Sequence, residues 1–312
     1  MVLKKIWEII LNIFSFLKEV FYQWQKDKAM EMGAAISYYT VFSLPPILII
    51  LITLTGWFFG QDAIEGKIVN QIKGIVGENV AVIIQTMIQN THRPDITSYS
   101  AVMGIIALLI GATGVFSQLK VSLNRIWGVE AKAETGFFFF IKDKIIPFLM
   151  ILAMGFLIFV SVVIDTLVTN FNTLIGRMIN GEMYLFFLKV SSFNLSFFLI
   201  TLMFALMYKI LPDVNISLRD VALGSIVTAI LFTLGKYIIT IYLINTNVGL
   251  SYGAAGSMIV LMVWVFYASL IFLFGGEFTQ IYTRKYGKRI IAINEAKIVN
   301  PERFKENTNN NI

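Results

Sequence analysis

The chain has 312 residues, of which 57% are hydrophobic and 14% charged, and its mean hydropathy is +0.76. Because a soluble domain carries about a quarter charged residues, this composition excludes an ordinary soluble enzyme and a disordered chain, and it indicates a polytopic membrane protein. The formal net charge is +6 and cysteine is absent, which excludes disulfides, thiol catalysis and cysteine metal sites.

The chain begins with an amphipathic segment over residues 1–30. Charged residues lie between apolar residues that recur at helical spacing, namely Ile6, Ile9, Ile10, Ile13, Leu17, Phe21 and Trp24. This pattern predicts a cytoplasmic helix that either lies in the inner membrane interface or packs beneath the bundle by its apolar stripe. The interrupting charges argue against a cleaved signal peptide.

Charge-poor runs follow that are long enough to cross a bilayer, which takes about 20 apolar residues. They predict six transmembrane helices, at about 34–59, 98–116, 145–170, 187–210, 220–244 and 253–282. The last two come from one uncharged run, which we divide at the polar turn 245–249. The predicted fold is all-α, a bundle of six transmembrane helices over residues 31–285 with amphipathic interfacial helices.

The longest predicted outer loop covers residues 60–97. Within it, apolar residues repeat every three or four positions, with Gly74 and Gly77 as a break. The pattern predicts two short amphipathic helices, which either cap an outward-facing cavity or lie on the lipid surface.

Basic residues set the predicted orientation. With both termini cytoplasmic, the inner segments contain 19 Lys and Arg residues and the outer segments contain 4. The positive-inside rule therefore predicts cytoplasmic N and C termini, and it explains the basic net charge without a nucleic-acid partner. The polar tail, residues 286–312, is predicted to be cytoplasmic and disordered.

Three charged residues fall inside predicted helices, where such groups usually face the bundle interior or water: Asp165, Lys236 and Glu277. At 1.5 Å per residue, Lys236 lies about 25 Å and Asp165 about 30 Å from the inner ends of their helices, whereas Glu277 lies about 9 Å from its own. We therefore expect Lys236 to meet Asp165 rather than Glu277. The alternatives are a polar site for an anionic headgroup or for protons, a structural ion pair, and snorkelling of Lys236 to the outer surface.

Glu277 follows two glycines near the inner side, and we expect it to form a structural ion pair with Arg125 or Lys120. Pro45 and Pro46 interrupt the first helix, and small residues begin the sixth. These features indicate either close helix contact or a broken helix that lines a transport path. The candidates for a substrate path are Lys236, Asp165, Tyr252, Tyr38 and Pro45.

Enzyme chemistry has little support in the sequence. The only histidine, His92, lies in the outer loop, so neither a metal cluster nor a serine triad has the necessary partners. There is no glycine-rich phosphate loop. We therefore predict no catalytic residues, no metal and no cofactor.

Several motifs together resemble the YihY/virulence factor BrkB family, some of whose members carried an older ribonuclease BN label. They are the run 33–45, Asn124-Arg125-Ile126-Trp127, Leu211-Pro212-Asp213, the run 251–257 with Trp264, and Gly276-Glu277-Phe278. One departure is Phe232, where the family often has tryptophan. The resemblance covers roughly residues 20–285 and implies a bacterial inner-membrane protein of about six helices with an envelope role, lipid or solute export being one proposal.

Two functions remain from this reasoning. The first is a transporter or flippase-like protein that moves an amphiphilic or anionic envelope substrate through a cavity lined by buried charges, with membrane lipids as partners. The alternative is a non-transporting membrane scaffold or envelope-interaction protein. An intramembrane enzyme is a weaker third, because no nucleophile–base pair is visible, and the oligomeric state is left open.

Overall fold

A computed structural model describes residues 2–43, 73, 78–91, 114–130, 149–150, 153, 156–157, 160, 181–246, 255–287, 290–292 and 296–304. The main helices in these ranges are α1 (Val2–Lys26), α2 (29–43), α3 (Glu78–Thr91), α4 (114–127), α5 (Gly181–Ile210), α6 (Leu218–Thr246) and α7 (Gly256–Tyr286). Four two-residue strands accompany them: β1 (Val129–Glu130), β2 (Val214–Asn215), β3 (Ile291–Ala292) and β4 (Lys297–Ile298).

Three of the predicted membrane helices are observed as helices. The predicted spans 187–210, 220–244 and 253–282 correspond to α5, α6 and α7. Among the described residues, α6 and α7 contain the two stretches that are long and apolar enough to cross a membrane, and α5 ends in a shorter apolar stretch. Most of the other three predicted spans, and the run of residues 62–72, lie outside the described residues.

Helices α6 and α7 run antiparallel in close contact. Gly224 lies against Thr279 at one end of the contact, and Gly235 lies against Tyr267 towards the other. A Cβ atom on either glycine would overlap the facing side chain. Small residues therefore let the two helices approach closely, as is common between membrane helices.

Helix α5 packs against the same pair through aromatic rings. Phe204 contacts Phe232 of α6 with ring centroids 5.6 Å apart and Phe272 of α7 at 6.1 Å. Phe232 also meets Trp264 edge-on, with a centroid separation of 5.9 Å. The family departure at Phe232 therefore still places an aromatic ring in the centre of the core.

The N-terminal helix packs along α7. Phe16 lies edge-on to Phe278, with ring centroids 5.2 Å apart, and the Trp24 indole donates to the Leu270 carbonyl oxygen at 3.3 Å. Much of its predicted apolar stripe faces away from the bundle, since these residues are exposed: Ile10, Ile13, Leu17 and Phe21. The helix therefore presents one face to α7 and an apolar face to its surroundings.

The segment after α7 folds back over the bundle. Strand β3 pairs antiparallel with β2, and β4 pairs antiparallel with β1. A 3-10 turn at Pro301–Arg303 follows and buries the Arg303 side chain. Residues 296–304 therefore have a defined structure, in a tail whose polar composition predicts disorder.

Gly128 permits this docking. Its carbonyl oxygen accepts hydrogen bonds from the backbone N–H groups of Val299 and Asn300, at 2.9 and 3.1 Å. Its φ of 70° is a left-handed conformation that disfavours side chains, and a Cβ there would press on Arg303 Cγ at 3.0 Å.

Candidate functional site

The C-terminal half of α7 carries a buried charged side chain, Glu277, which directly follows two glycines. A Cβ on Gly275 would overlap Thr228 and the Tyr208 hydroxyl, and a Cβ on Gly276 would crowd Ile126 at 3.2 Å. Three helices therefore press closely on α7 immediately before Glu277. As a result the Glu277 side chain is 1% exposed.

Arg303 is the cation that holds Glu277. Its Nη1 donates to Glu277 Oε2 at 2.9 Å and to Gln280 Oε1 at 3.2 Å. Gln280 also donates from Nε2 to the Arg303 backbone carbonyl at 3.1 Å. Because the arginine side chain is 3% exposed, this is a buried, hydrogen-bonded ion pair rather than a surface one.

The other terminal nitrogen of Arg303 reaches the N-terminal helix and the turn that follows it. Nη2 donates to Asp27 Oδ2 at 2.6 Å and to Gln23 Oε1 at 3.3 Å. One guanidinium thus joins the tail, α7 and the end of α1. We call Gln23, Asp27, Glu277, Gln280 and Arg303 the arginine cluster.

One oxygen of the arginine cluster lacks a hydrogen-bond donor. Glu277 Oε1 is buried, and no described side chain or backbone N–H donates to it. The Asp27 carboxyl lies near the same glutamate, because both bind the Arg303 guanidinium. A buried carboxylate oxygen without a donor is costly, and such an atom in a native structure calls for an explanation.

A second polar contact joins two of the family-like motifs. Asn124 donates from Nδ2 to Asp213 Oδ2 at 2.9 Å and accepts from the Asp213 backbone N–H at 2.8 Å. Lys120 lies 3.1 Å from the same carboxylate oxygen. The reciprocal contact ties the end of α4 to the turn between α5 and α6.

The expected partners of Glu277 are therefore corrected. Lys120 pairs with Asp213, and Arg125 has an exposed side chain on α4. Arg303 occupies the position instead, because the tail folds back across β1 while Arg125 lies on the outward side of its helix. The prediction that Glu277 belongs to an ion pair is consistent with the geometry, although the partner is different.

Lys236 lies on α6, well away from the arginine cluster. Gly224 faces Thr279 and Gly235 faces Tyr267, which sets the register of α6 on α7. Lys236 is therefore level with Tyr267, about 15 Å from Glu277 along the axis of α7. Its side chain is half-buried, and its Nζ lies 5.5 Å from the centroid of the Tyr237 ring. The two charges are thus at different depths, in agreement with the expectation that they do not pair.

Of the other four candidates for a substrate path, the described residues include Tyr38 only. Tyr38 is exposed on α2, with its ring 4.8 Å from that of Phe42. The other three, Asp165, Tyr252 and Pro45, lie outside the described residues, so the expected pairing of Lys236 with Asp165 stays a prediction.

Four members of the cluster were not predicted from the sequence: Gln23, Asp27, Gln280 and Arg303. Gln23 and Asp27 continue a polar stripe from Glu19, which contacts both Arg284 and Lys285 of α7. Their spacing of four residues is a helical signal that the apolar stripe on the opposite face obscured. Arg303 had no comparable signal, because a single arginine in a polar tail does not reveal its partner.

Comparisons with known proteins agree with the motifs. The family model described as virulence factor BrkB matches residues 20–298. A putative ribonuclease-like protein YfkH of Bacillus subtilis is 25% identical, over 87% of this chain and 96% of its own length. The UPF0761 membrane protein MS0032 of Mannheimia succiniciproducens is 27% identical, over 88% of this chain and 91% of its own. The UPF0761 membrane protein VP0125 of Vibrio parahaemolyticus is 28% identical, over 87% and 83%. No solved structure matches the chain.

Proposed function

Because the chain belongs to the virulence factor BrkB family of bacterial membrane proteins, we propose that it is a multi-pass inner-membrane protein that moves an amphiphilic or anionic envelope substrate. Its termini are cytoplasmic in this proposal, since 19 of the 25 basic residues then lie on inner segments. The arginine cluster lies at the cytoplasmic end, and Lys236 lies in the outer half of the bundle.

The observation that carries the proposal is the placement of Lys236. A lysine near the middle of a membrane helix costs about 2.5–3.5 kcal/mol, and such residues usually face the bundle interior or water. Here Lys236 is half-buried next to the close contact between α6 and α7 at Gly235. A cation in this position suits an anionic headgroup that enters between helices while its acyl chains stay in lipid.

The arginine cluster complements that site. With Glu277 and Arg303 both buried, the cytoplasmic end is closed by polar contacts that rearrange only if the tail moves. In the proposed mechanism, this closed cytoplasmic end belongs to the state of an alternating-access transporter that opens towards the outer leaflet.

The alternative, a non-transporting scaffold, has its own supporting observation. Neighbouring side chains fill the space beside the glycines that precede Glu277, so the described part of the bundle is tightly packed there. A rigid bundle of this kind, with an apolar face of α1 turned outward, would suit an envelope-interaction protein.

We do not extend the ribonuclease-like name of the Bacillus subtilis relative to this chain. A nuclease of the two-metal type needs carboxylates free to bind metal ions. Asp27 and Glu277 are instead held by the Arg303 guanidinium. We therefore propose no enzymatic activity.

Movement of labelled lipids tests the proposal. Vesicles reconstituted with the protein and with headgroup-labelled phosphatidylglycerol should exchange the label between leaflets faster than empty vesicles. Lys236→Gln should slow the exchange at least tenfold, whereas Arg219→Gln, which removes an exposed cation from the start of the same helix, should not. Equal rates in empty and protein-containing vesicles would contradict transport of anionic phospholipid and favour the scaffold.

A further inference from the structure

Asp27 and Glu277 share a single compensating cation. The two terminal nitrogens of the Arg303 guanidinium bind one carboxylate each, at 2.6 and 2.9 Å. Glu277 is 1% exposed and the Asp27 side chain is 15% exposed, so water screens neither charge well. With both carboxyls ionised, this buried group would carry a net charge of −1.

The neighbouring charged groups do not supply the missing positive charge. The elements packed around Glu277 carry these titratable side chains nearest to it: Glu19 and Asp27 of α1 and the turn after it, Tyr208 of α5, Asp220 of α6, Arg284 and Lys285 of α7, and Arg303 of the tail. On α4, Lys120 pairs with Asp213 and Arg125 is exposed. Arg284 and Lys285 both bind Glu19 about two turns along α7, in a partly exposed pair of contacts. Asp220 lies against Gly287, farther along α7 than these two cations, and supplies no positive charge to the site.

The hydrogen bonds of the cluster also lack one donor. Both cluster amides direct their oxygens to Arg303, and the Gln280 amide nitrogen is used on the Arg303 carbonyl. No described donor contacts Glu277 Oε1. Since Asp27 and Glu277 bind the two terminal nitrogens of one guanidinium, two carboxyls share the site while Glu277 Oε1 has no described donor.

We infer that the Asp27–Glu277 pair binds one proton, so that the arginine cluster is a proton-binding site at the end of the bundle. A proton on either carboxyl provides an O–H donor that the other carboxylate accepts. It also brings the net charge of the buried group to zero. Two carboxyls that share one site cannot both ionise cheaply, and the proton belongs to the pair rather than to one residue.

A proton fits the site better than a metal cation does. Hard cations prefer about six or more oxygen ligands at regular distances. Here the guanidinium already takes one oxygen from each carboxylate and one from each of the two glutamines. A proton needs only the two carboxyls.

The inference adds a coupling ion to the proposed function, and in that respect it rests on the proposal of transport. Loss of the proton would leave both carboxylates ionised against Arg303. The stronger electrostatic attraction would hold the tail more tightly to the bundle. Proton binding itself is independent of transport, because a scaffold with the same cluster would bind the proton equally.

Infrared spectroscopy of the full chain in lipid nanodiscs tests the site. At neutral pH, the wild-type protein should show the C=O stretching band of a protonated carboxyl in a buried setting. Glu277→Gln and Asp27→Asn should each remove that band. Asp213→Asn is the matched control, because Asp213 is also buried but is compensated by Lys120 and Asn124, and it should leave the band unchanged.

Several results would overturn the inference. A wild-type spectrum without such a band would do so without any variant. A band that persists in whichever of Glu277→Gln and Asp27→Asn folds would place the acid elsewhere. A band that disappears when Na⁺ replaces K⁺ would show a metal cation in place of the proton. None of these readings depends on lipid movement, so failure here is distinguishable from failure of the transport proposal.

Discussion

Arg303 donates from Nη1 to Glu277 Oε2 at 2.9 Å, across 26 residues of chain, and so fastens the tail to the last third of α7. The other end of the same guanidinium binds Asp27, which lies 276 residues away in the sequence. One side chain therefore connects both ends of the described chain with its longest apolar helix.

Removing this arginine should destabilise the protein strongly. Arg303→Ala leaves two buried carboxyls without their cation, and breaking a buried pair in this way typically costs about 3–5 kcal/mol. Thermal unfolding of the detergent-solubilised protein measures the effect. Lys297→Ala, which removes an exposed cation from the same tail, should have little effect. Equal midpoints for Arg303→Ala and wild type would show that the tail contact contributes nothing.

Gly128→Ala should loosen the tail without removing a hydrogen-bonding group of the arginine cluster. The new methyl group meets a left-handed backbone and presses on Arg303, which together should cost about 1–3 kcal/mol. Limited trypsin digestion followed by mass spectrometry reports the result. Cleavage after Arg303 should be slow in the wild type, where the side chain is buried, and several-fold faster in the variant. Unchanged cleavage would argue against tail docking on Gly128.

Asn124 and Asp213 should be energetically coupled. Because the Asn124 amide donates to the buried Asp213 carboxylate, a double-mutant cycle with alanine at both positions should give a coupling energy of about 0.5–3 kcal/mol for this side-chain contact. The exposed pair Lys28 and Glu31 provides the comparison, where about 0.5 kcal/mol or less is expected. A coupling at Asn124 no larger than at the exposed pair would refute the proposed role of this contact.

Two phenylalanines on α1 should behave differently. Phe16 packs edge-on against Phe278, whereas Phe14 is 67% exposed. Phe16→Ala should lower the unfolding temperature in detergent, through loss of an aromatic contact that contributes about 0.5–1.5 kcal/mol beyond its buried area. Phe14→Ala should leave it nearly unchanged. The opposite order would mean that α1 packs on α7 by its other face.

The helices were predictable from the sequence to the extent that lipid dictates their composition. A span must be apolar over its whole length, so α6 and α7 follow from uncharged runs and a polar turn between them. Lys236 and Glu277 were identifiable for the same reason, since charges stand out against an apolar run. The different depths expected for Lys236 and Glu277 agree with the α6–α7 register.

The partners within the arginine cluster were not predictable in the same way. Arg303 lies in a polar segment whose composition is typical of a disordered tail, and its order depends on β-strand pairing and on partners distant in sequence. Such contacts between distant parts of the chain leave no local periodicity. The polar stripe of α1 did leave such a periodicity. The spacing of Gln23 and Asp27 indicates the face of α1 that contacts α7 more accurately than the apolar stripe of the same helix does.

The most direct test of the transport proposal uses the absence of cysteine from the chain. Lys236→Cys and Ile238→Cys place single thiols two residues apart on α6, one at a half-buried position and one that is 63% exposed on the lipid-facing side in this account. In membranes, a small water-soluble thiol reagent should label position 236 rapidly and position 238 hardly at all, because only the first lines a hydrated path. Equal protection of both thiols would place Lys236 in a dry environment and contradict the account.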